Sequence, residues 1–503
     1  MKKLLIGVAV VSFLIFVALV CFGQCVGLDL SHDEHQFIAP AVLWARQGLL
    51  PYRDVPLFHQ PYLIFLDSLV VKNVASPLLA ARLISGTAAF LTGLLIFGCT
   101  WHSTRQKPIG VRALSAVSIT LLWLTSHLFL VSSGRTWNHD LPCLLAVSAM
   151  AILLFREKLN AWHWLAAGLL AGLATGGRLT MAPFAGLLPL TALFWNDTPW
   201  RQRFFHLSSS AIGVAIALSP SLWFYLQSPE NYLFGNFEFP RLPLLDADNS
   251  RILKTITPWR KIRFFFKEVV LSNLPLALAF IGLAVGSLRQ SRVGRDSPAP
   301  FLHRGMQLRW IVPSLALLAG AFAPSRYEMQ HFYIVAPLAA LLAARFLQSS
   351  SNRITVALLV LAIVSSVSGG QIFLQARQLF RPRDWEVTRI HQQGVALRER
   401  VGSGKILTLS PIVALEGGLS VYPQLATGPF GWKFAHLVPQ PRRARLGLLA
   451  ETDLSSILIN DPPAGVLTGN EDSKLEEPLI QFAQKSGYRS EKLSDDLTLW
   501  RRP

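Results

Sequence analysis

Residues 31–37 read Ser-His-Asp-Glu-His-Gln-Phe, an acidic pair between two histidines directly after a long apolar run. A positioned carboxylate can take a proton from a reacting group, so Asp33 and Glu34 have the right type for acid–base chemistry at a membrane edge. Ser31 and Glu34 also have capping-box spacing, and two acids in a first helical turn can be mere caps. The seven residues alone leave both readings open.

Other polar residues recur in corresponding places. "SSGRTWNHDLP" brings Asp140 to the start of an apolar helix, where a carboxylate is costly without a partner or a role. "TGGRLT" carries Arg178, and "PSRYEMQHFY" carries Arg326, Glu328 and His331. Singly, each reads as an interfacial charge reaching for water. Together they suggest the rim of a polar cavity. "SRILKTITPWRKIRFFFKEVVL" interleaves Lys254, Arg260, Lys261, Arg263 and Lys267 with aromatic residues. An anionic phosphate at the membrane surface is its functional reading, and lipid-headgroup anchoring the plain one.

These residues need a scaffold, and composition says which. The chain has 503 residues, 51% hydrophobic and 15% charged, with a net charge of +18. Its apolar residues form blocks near the roughly 20 residues that cross a bilayer as a helix, so an integral membrane protein is expected. Much of the basic charge sits between the apolar blocks, where topology explains it, so nucleic acid is not the expected partner. The four cysteines lie in or beside apolar blocks and match neither a zinc site nor a disulfide framework.

Eleven spans are expected, near 4–23, 78–100, 112–132, 140–155, 162–176, 180–195, 207–226, 269–288, 310–324, 332–348 and 354–373, the first of them an uncleaved anchor. Positive charges in alternate short loops place Lys2 and Lys3 inside. Residues 24–77, 227–268 and the C-terminal segment then lie outside. After Ser31 an amphipathic helix through Phe37, Ile38, Val42 and Trp44 should lie in the interface. The C-terminal segment mixes short apolar runs with helical patterns and predicts a small α/β domain over 376–503, after a helical membrane domain over 1–375. No internal repeat is evident.

The ordered set of an outer "DE", "ARQGLLPYRD", "FHQPYLIFL", "HDLPCLLAVSAMAILLF", "GLLAGLATGGRLTMAPF" and "HFYIVAPLAALLAAR" resembles the glycosyltransferase-C superfamily over about residues 1–375. The likeness is to bacterial enzymes related to protein O-mannosyltransferases and the lipid A aminoarabinose transferase. It implies an inner-membrane, multi-pass, all-α enzyme with its site facing the periplasm or outside. A sugar would move from a polyprenyl-phosphate donor to an acceptor hydroxyl on a lipid, glycan or protein, with inversion. Asp33 matches the family's catalytic carboxylate, with Glu34 adjacent and Asp140 at a second acidic position. Arg178, His331, Arg260, Lys261 and Arg263 become candidates for the donor phosphate, and Arg53, His59 and Gln60 for substrate. Gln60 stands where the aminoarabinose-transferase type has lysine, and Arg178 where relatives commonly have lysine. A divalent metal, if used, would fall to Asp33 and Asp140. A transporter or flippase of lipid-linked sugars is the alternative, although transporters usually place polar residues near the bilayer midplane. A non-catalytic wall-binding scaffold is a third reading.

Overall fold

The computed structural model describes residues 1–156, 158–194, 198–245, 257–293, 304–325 and 328–502. Lys254 and Arg326 therefore lie outside the described residues. Among the described residues, five helices are long and apolar enough to cross a bilayer: Lys2–Gly27, Pro77–Ser103, Trp200–Gln227, Pro258–Ser287 and Met329–Phe346. A sixth candidate, Asn352–Ser368 with Gln371–Gln378, is bent by 68°, around Gly370 in the left-handed region. Ile109–Leu124, Asp140–Phe155 and Trp310–Phe322 are apolar but shorter.

Length and composition thus do not give eleven spans, and the reasons are local. The expected span 112–132 stops at Leu124, and Ser126 caps a separate helix, its Oγ accepting from Phe129 N at 3.3 Å. The expected span 180–195 divides into Leu179–Met181, Ala182–Leu187 and Pro189–Phe194. Pro183 and Pro189 each remove a donor there. Conversely, the basic stretch 258–267 is not a free loop, because it forms the first turns of the Pro258–Ser287 span.

Without a hydrophobic drive in lipid, helices associate through close packing of small residues. The Ala161–Gly177 and Trp200–Gln227 helices do so reciprocally. A Cβ added at Gly168 would lie 2.0 Å from Ser210 O, and one at Gly213 would lie 2.3 Å from Leu165 O. This contact holds the helix that ends at Arg178.

The helix after Ser31 runs His32–Gln47, with its capping box formed and Gly48 closing it in the left-handed region. Its apolar face meets protein. Residues Glu34 through Leu43 are all buried, because the C-terminal segment covers the face that lipid was expected to meet. One apolar core runs from Phe37, Ile38 and Val42 through Leu63, Leu78 and Ala81 to Ile390, Ile406, Val413 and Leu467.

That C-terminal segment contains a five-stranded sheet in the order β2-β1-β3-β5-β4, from β1 (Lys405–Leu407), β2 (Ser420–Val421), β3 (Gly465–Thr468), β4 (Arg489–Lys492) and β5 (Thr498–Arg501). β1 runs parallel to β2 and β3, and β5 antiparallel to β3 and β4. Polar contacts tie the segment down. Glu416 Oε1 accepts from Leu78 N at 2.6 Å and from Ser76 Oγ at 3.1 Å. A carboxylate there occupies the positive end of the Pro77–Ser103 helix. Arg442 pairs with Glu230 and Glu238, and Arg445 with Glu230.

Candidate functional site

Several chain segments converge on a cavity of about 430 Å³ beside the first turn of the His32–Gln47 helix. Asp33, Gln36 and Phe37 come from that turn, His59 and Gln60 from the following loop, and Asn138, His139 and Arg178 from the ends of two helices. Glu328, Gln330 and His331 close another side. The remaining walls are largely apolar and include Phe58, Phe239, Pro240 and Pro243, with Phe430 and Phe434 contributed by the C-terminal segment.

The adjacent acids have different surroundings. Glu34 is fully buried and receives two hydrogen bonds from Arg82, Nε to Oε1 at 2.8 Å and Nη2 to Oε2 at 2.6 Å. Ser31 N and Thr136 N donate to the same carboxylate at 3.1 and 3.0 Å. Burial alone would raise the Glu34 carboxyl, but Arg82 and these donors hold it below the usual range. Arg82 is also fully buried, and it donates to Cys25 O, Leu28 O and Asp29 O. Glu34 is thus consumed in a clamp that fixes the chain entering the helix.

Asp33 points the other way. Its side chain keeps a quarter of its exposure and faces the cavity. Gln330 Nε2 lies 3.5 Å from Oδ2, and His32 Nε2 lies 3.7 Å from Oδ1. Burial pushes the Asp33 carboxyl above the usual aspartate value; Glu328 and Glu34 add to the rise, and His32 and Arg178 oppose it. A raised carboxylate is a stronger base once ionised.

Arg178 occupies the junction after the Ala161–Gly177 helix, where its backbone turns extended. Its guanidinium is largely buried and donates to Asn138 Oδ1 at 2.9 Å and Thr180 Oγ1 at 3.0 Å, and it meets the His139 ring. These partners repay the desolvation of a buried charge. Among the described residues lining the cavity it is the one guanidinium.

The 50–60 loop is held by Tyr52, the one described non-glycine residue at positive φ (+67°). Its hydroxyl donates to His59 O and accepts from Asn236 Nδ2 at 3.1 Å. Gln60 is locked as well. Its Oε1 accepts from Ser221 Oγ and Tyr232 OH, both at 3.1 Å, while Nε2 donates to Asn236 Oδ1 at 2.9 Å. Gln60 therefore joins the loop to the Trp200–Gln227 helix, in addition to lining the cavity. The His59 ring stacks on Phe37 at 5.0 Å, and burial pushes its imidazole down to about 3, so it stays neutral at pH 7.

Several candidates lie elsewhere. Asp140 is buried and does not line the cavity; its oxygens accept from Gly134 N at 3.0 Å and Tyr333 OH at 2.9 Å. It braces the Gly134–His139 turn from behind. Arg53 is exposed and paired with Asp54 at 2.7 Å. Lys261 donates to Phe322 O and Pro324 O, so it pins the turn that forms one cavity wall. Arg260 and Arg263 are exposed and outside the lining. Asp33 and Asp140 do not share a site, and no group of three or more His, Cys, Asp or Glu among the described residues is placed to hold a metal ion.

Sequence reasoning missed Gln36, His139 and Gln330 as cavity residues, and Phe430 and Phe434 above all. His139 sat within a quoted motif, whereas nothing local marks Phe430 or Phe434, whose position depends on the whole C-terminal segment folding back.

No family profile and no curated protein matches the chain. Solved structures do. ArnT from Cupriavidus metallidurans bound to undecaprenyl phosphate aligns with a TM-score of 0.60 at 14% identity, covering 98% of this chain and 97% of that one. The apo state of the same protein aligns with a TM-score of 0.60 at 16% identity, covering 98% of each. The chain therefore shares the fold of these ArnT structures along nearly its whole length.

Proposed function

We propose that this protein is a membrane glycosyltransferase that moves a sugar from a polyprenyl-phosphate carrier to a hydroxyl-bearing acceptor on the extracytoplasmic side. The observation that carries the reading is the placement of Asp33 and Arg178 on one cavity that also has an apolar wall of Phe58, Phe239, Pro240, Pro243, Phe430 and Phe434. A base and a cation face the same space, and the apolar walls suit an isoprenoid chain. The related ArnT structure holds undecaprenyl phosphate, which supports the same donor class here.

In the proposed step the acceptor oxygen forms a bond to the anomeric carbon while its proton passes to Asp33. The bond from that carbon to the phosphate oxygen breaks, and the leaving phosphate takes the electron pair. Attack opposite the leaving group inverts the anomeric centre. Charge grows on the phosphate, and Arg178, pre-positioned by Asn138 and Thr180, stabilises it without reorganising. His331, which lines the same cavity, is a further candidate contact to that phosphate, and Glu328 tempers the field of Arg178. Lys261, Arg260 and Arg263 are assigned no direct contact; Lys261 shapes the wall. Labelled polyprenyl-phosphate sugar supplied to the purified protein in proteoliposomes tests the reading. Transfer of label to an acceptor supports it, and movement of intact lipid across the bilayer would show a flippase instead.

Two further results are expected. Arg178→Ala lowers kcat/KM for the lipid-linked donor by about 100- to 1,000-fold, the range for losing one stabiliser of developing charge. Wild-type donor turnover in this variant would remove Arg178 from the phosphate site. The pH–rate profile of kcat/KM rises with pH as Asp33 ionises, through a midpoint above the ordinary aspartate value of 3.8, because only the carboxylate accepts a proton. A profile that stays flat through the acid range would remove Asp33 from the proton transfer.

A further inference from the structure

Another cavity, of about 310 Å³, shares no lining residue with the one that holds Asp33. Three helices are interrupted around it. The Ile109–Leu124 helix stops and the chain restarts as His127–Ser132. The Pro258–Ser287 span tightens through Leu271–Asn273. The Asn352–Ser368 helix ends at the 68° bend. Broken helices at membrane depth are tolerated where they are buried in protein or line a cavity, and all three breaks contribute to this lining. The cavity belongs to the same end of the bundle as Asp33. Gln24 links the two regions, because it donates to Leu130 O at 2.8 Å and a Cβ at Gly134 would lie 3.0 Å from its Cγ.

Eight of the twelve lining residues are polar, and none is acidic, lysine or arginine. They divide into two sets. One set holds the wall together. Thr125 Oγ1 and Ser365 Oγ lie 2.9 Å apart, and Ser126 Oγ donates to Trp123 O at 2.6 Å. Asn273 accepts from Leu128 N at 3.1 Å and donates to Val269 O at 2.6 Å. The other set is unspent. His127, Ser272 and Gln371 make no side-chain hydrogen bond to another described residue. These three are open to a ligand, since Ser272 and Gln371 are exposed and His127 is half-buried.

The surroundings identify the side from which a ligand comes. Leu271, Leu274, Val364 and Val367 flank the polar residues and are exposed, as apolar side chains on spanning helices are where they meet lipid. Three donors without a neighbouring carboxylate suit an acceptor, and an ionised acceptor makes the stronger bonds. A phosphodiester is such a group, and its acyl chains would run over the flanking leucines and valines. An ammonium head finds no acidic residue in the lining to hold it. We infer that this cavity binds the head group of an anionic glycerophospholipid from the leaflet nearer Asp33, with the phosphodiester held by His127, Ser272 and Gln371. The bound lipid bridges the three interrupted helices from outside the bundle, and the site is independent of the transferase reading.

The test uses the full chain, purified in detergent and stripped of lipid. Native mass spectrometry should show retention of dioleoyl phosphatidylglycerol at least threefold above dioleoyl phosphatidylethanolamine and at least tenfold above dioleoylglycerol. Phosphatidylglycerol carrying a diazirine in its head group should crosslink to peptides spanning 125–130, 272–276 or 365–371. Ser368→Trp fills the cavity from its exposed rim and should lower that crosslink at least fivefold. Gln371→Leu removes one donor from an exposed position and should lower it severalfold. Monodisperse elution and an unchanged unfolding temperature without lipid show that each variant is folded, and Gln371→Leu carries the test alone if Ser368→Trp fails them. Equal retention of dioleoylglycerol, crosslinks confined to other peptides, or wild-type crosslinking in the folded variants would overturn the site. Loss of the crosslink on adding glycerol 3-phosphate would make the ligand a soluble phosphate and overturn the lipid assignment.

Discussion

Asp33→Asn should abolish measurable sugar transfer and leave the protein folded in the membrane. Amide for carboxylate keeps the shape and removes the base, and a positioned base accounts for about 10²- to 10⁴-fold in rate. The stability sign is opposite. The native fold raises the Asp33 carboxyl above its ordinary value, so ionisation at neutral pH opposes folding. The Asp33→Asn protein should therefore unfold at the same or a higher temperature than wild type at pH 7. The difference should vanish below the ordinary aspartate value, where both side chains are neutral. Radiolabel transfer in proteoliposomes, beside a thermal unfolding series across pH, checks both halves. Near-normal turnover would remove Asp33 from catalysis, and a marked loss of thermal stability would mean that the side chain is structural.

Glu34→Ala, one residue away, should fail in another manner. Arg82 would be left fully buried without its counter-charge, and Ser31 N and Thr136 N would lose their acceptor. Breaking a buried ion pair from one side costs about 3–5 kcal/mol, comparable to the whole stability of many domains. The variant should accumulate poorly or unfold well below the wild-type temperature. Glu34→Leu combined with Arg82→Met should recover part of the loss, because no charge is then stranded. A Glu34→Ala protein with wild-type unfolding and no activity would instead make Glu34 a catalytic residue, a role that its burial opposes.

The two neighbours show how far residue type carries an argument. Adjacent acids at a helix start could be read as chemistry or as caps, and the fold uses one for each. Alternation of burial around the first helical turn separates them, since Glu34 points to the Pro77–Ser103 helix and Asp33 to the cavity. Arg178 was legible because a charge in a short turn between apolar segments has few places to go. Asp140 obeyed the same logic, yet its charge is spent on Gly134 and Tyr333. The His32–Gln47 helix was legible in its start and its length but not in its surroundings. Its apolar face matched a lipid interface as well as a protein core, and periodicity cannot tell one apolar partner from another.

By itself the sequence determined what depends on neighbours along the chain: the apolar blocks, the capping box at Ser31, and the charged residues confined to the turns. Tertiary structure decided which of those charges share a space. Arg82 takes Glu34 across 48 residues, Glu416 caps the Pro77–Ser103 helix from more than 300 residues away, and Phe430 and Phe434 wall a cavity begun at Asp33. Such pairings are set by the closure of the helical bundle and the docking of the C-terminal segment on it, and no local pattern encodes which buried partner a side chain will meet.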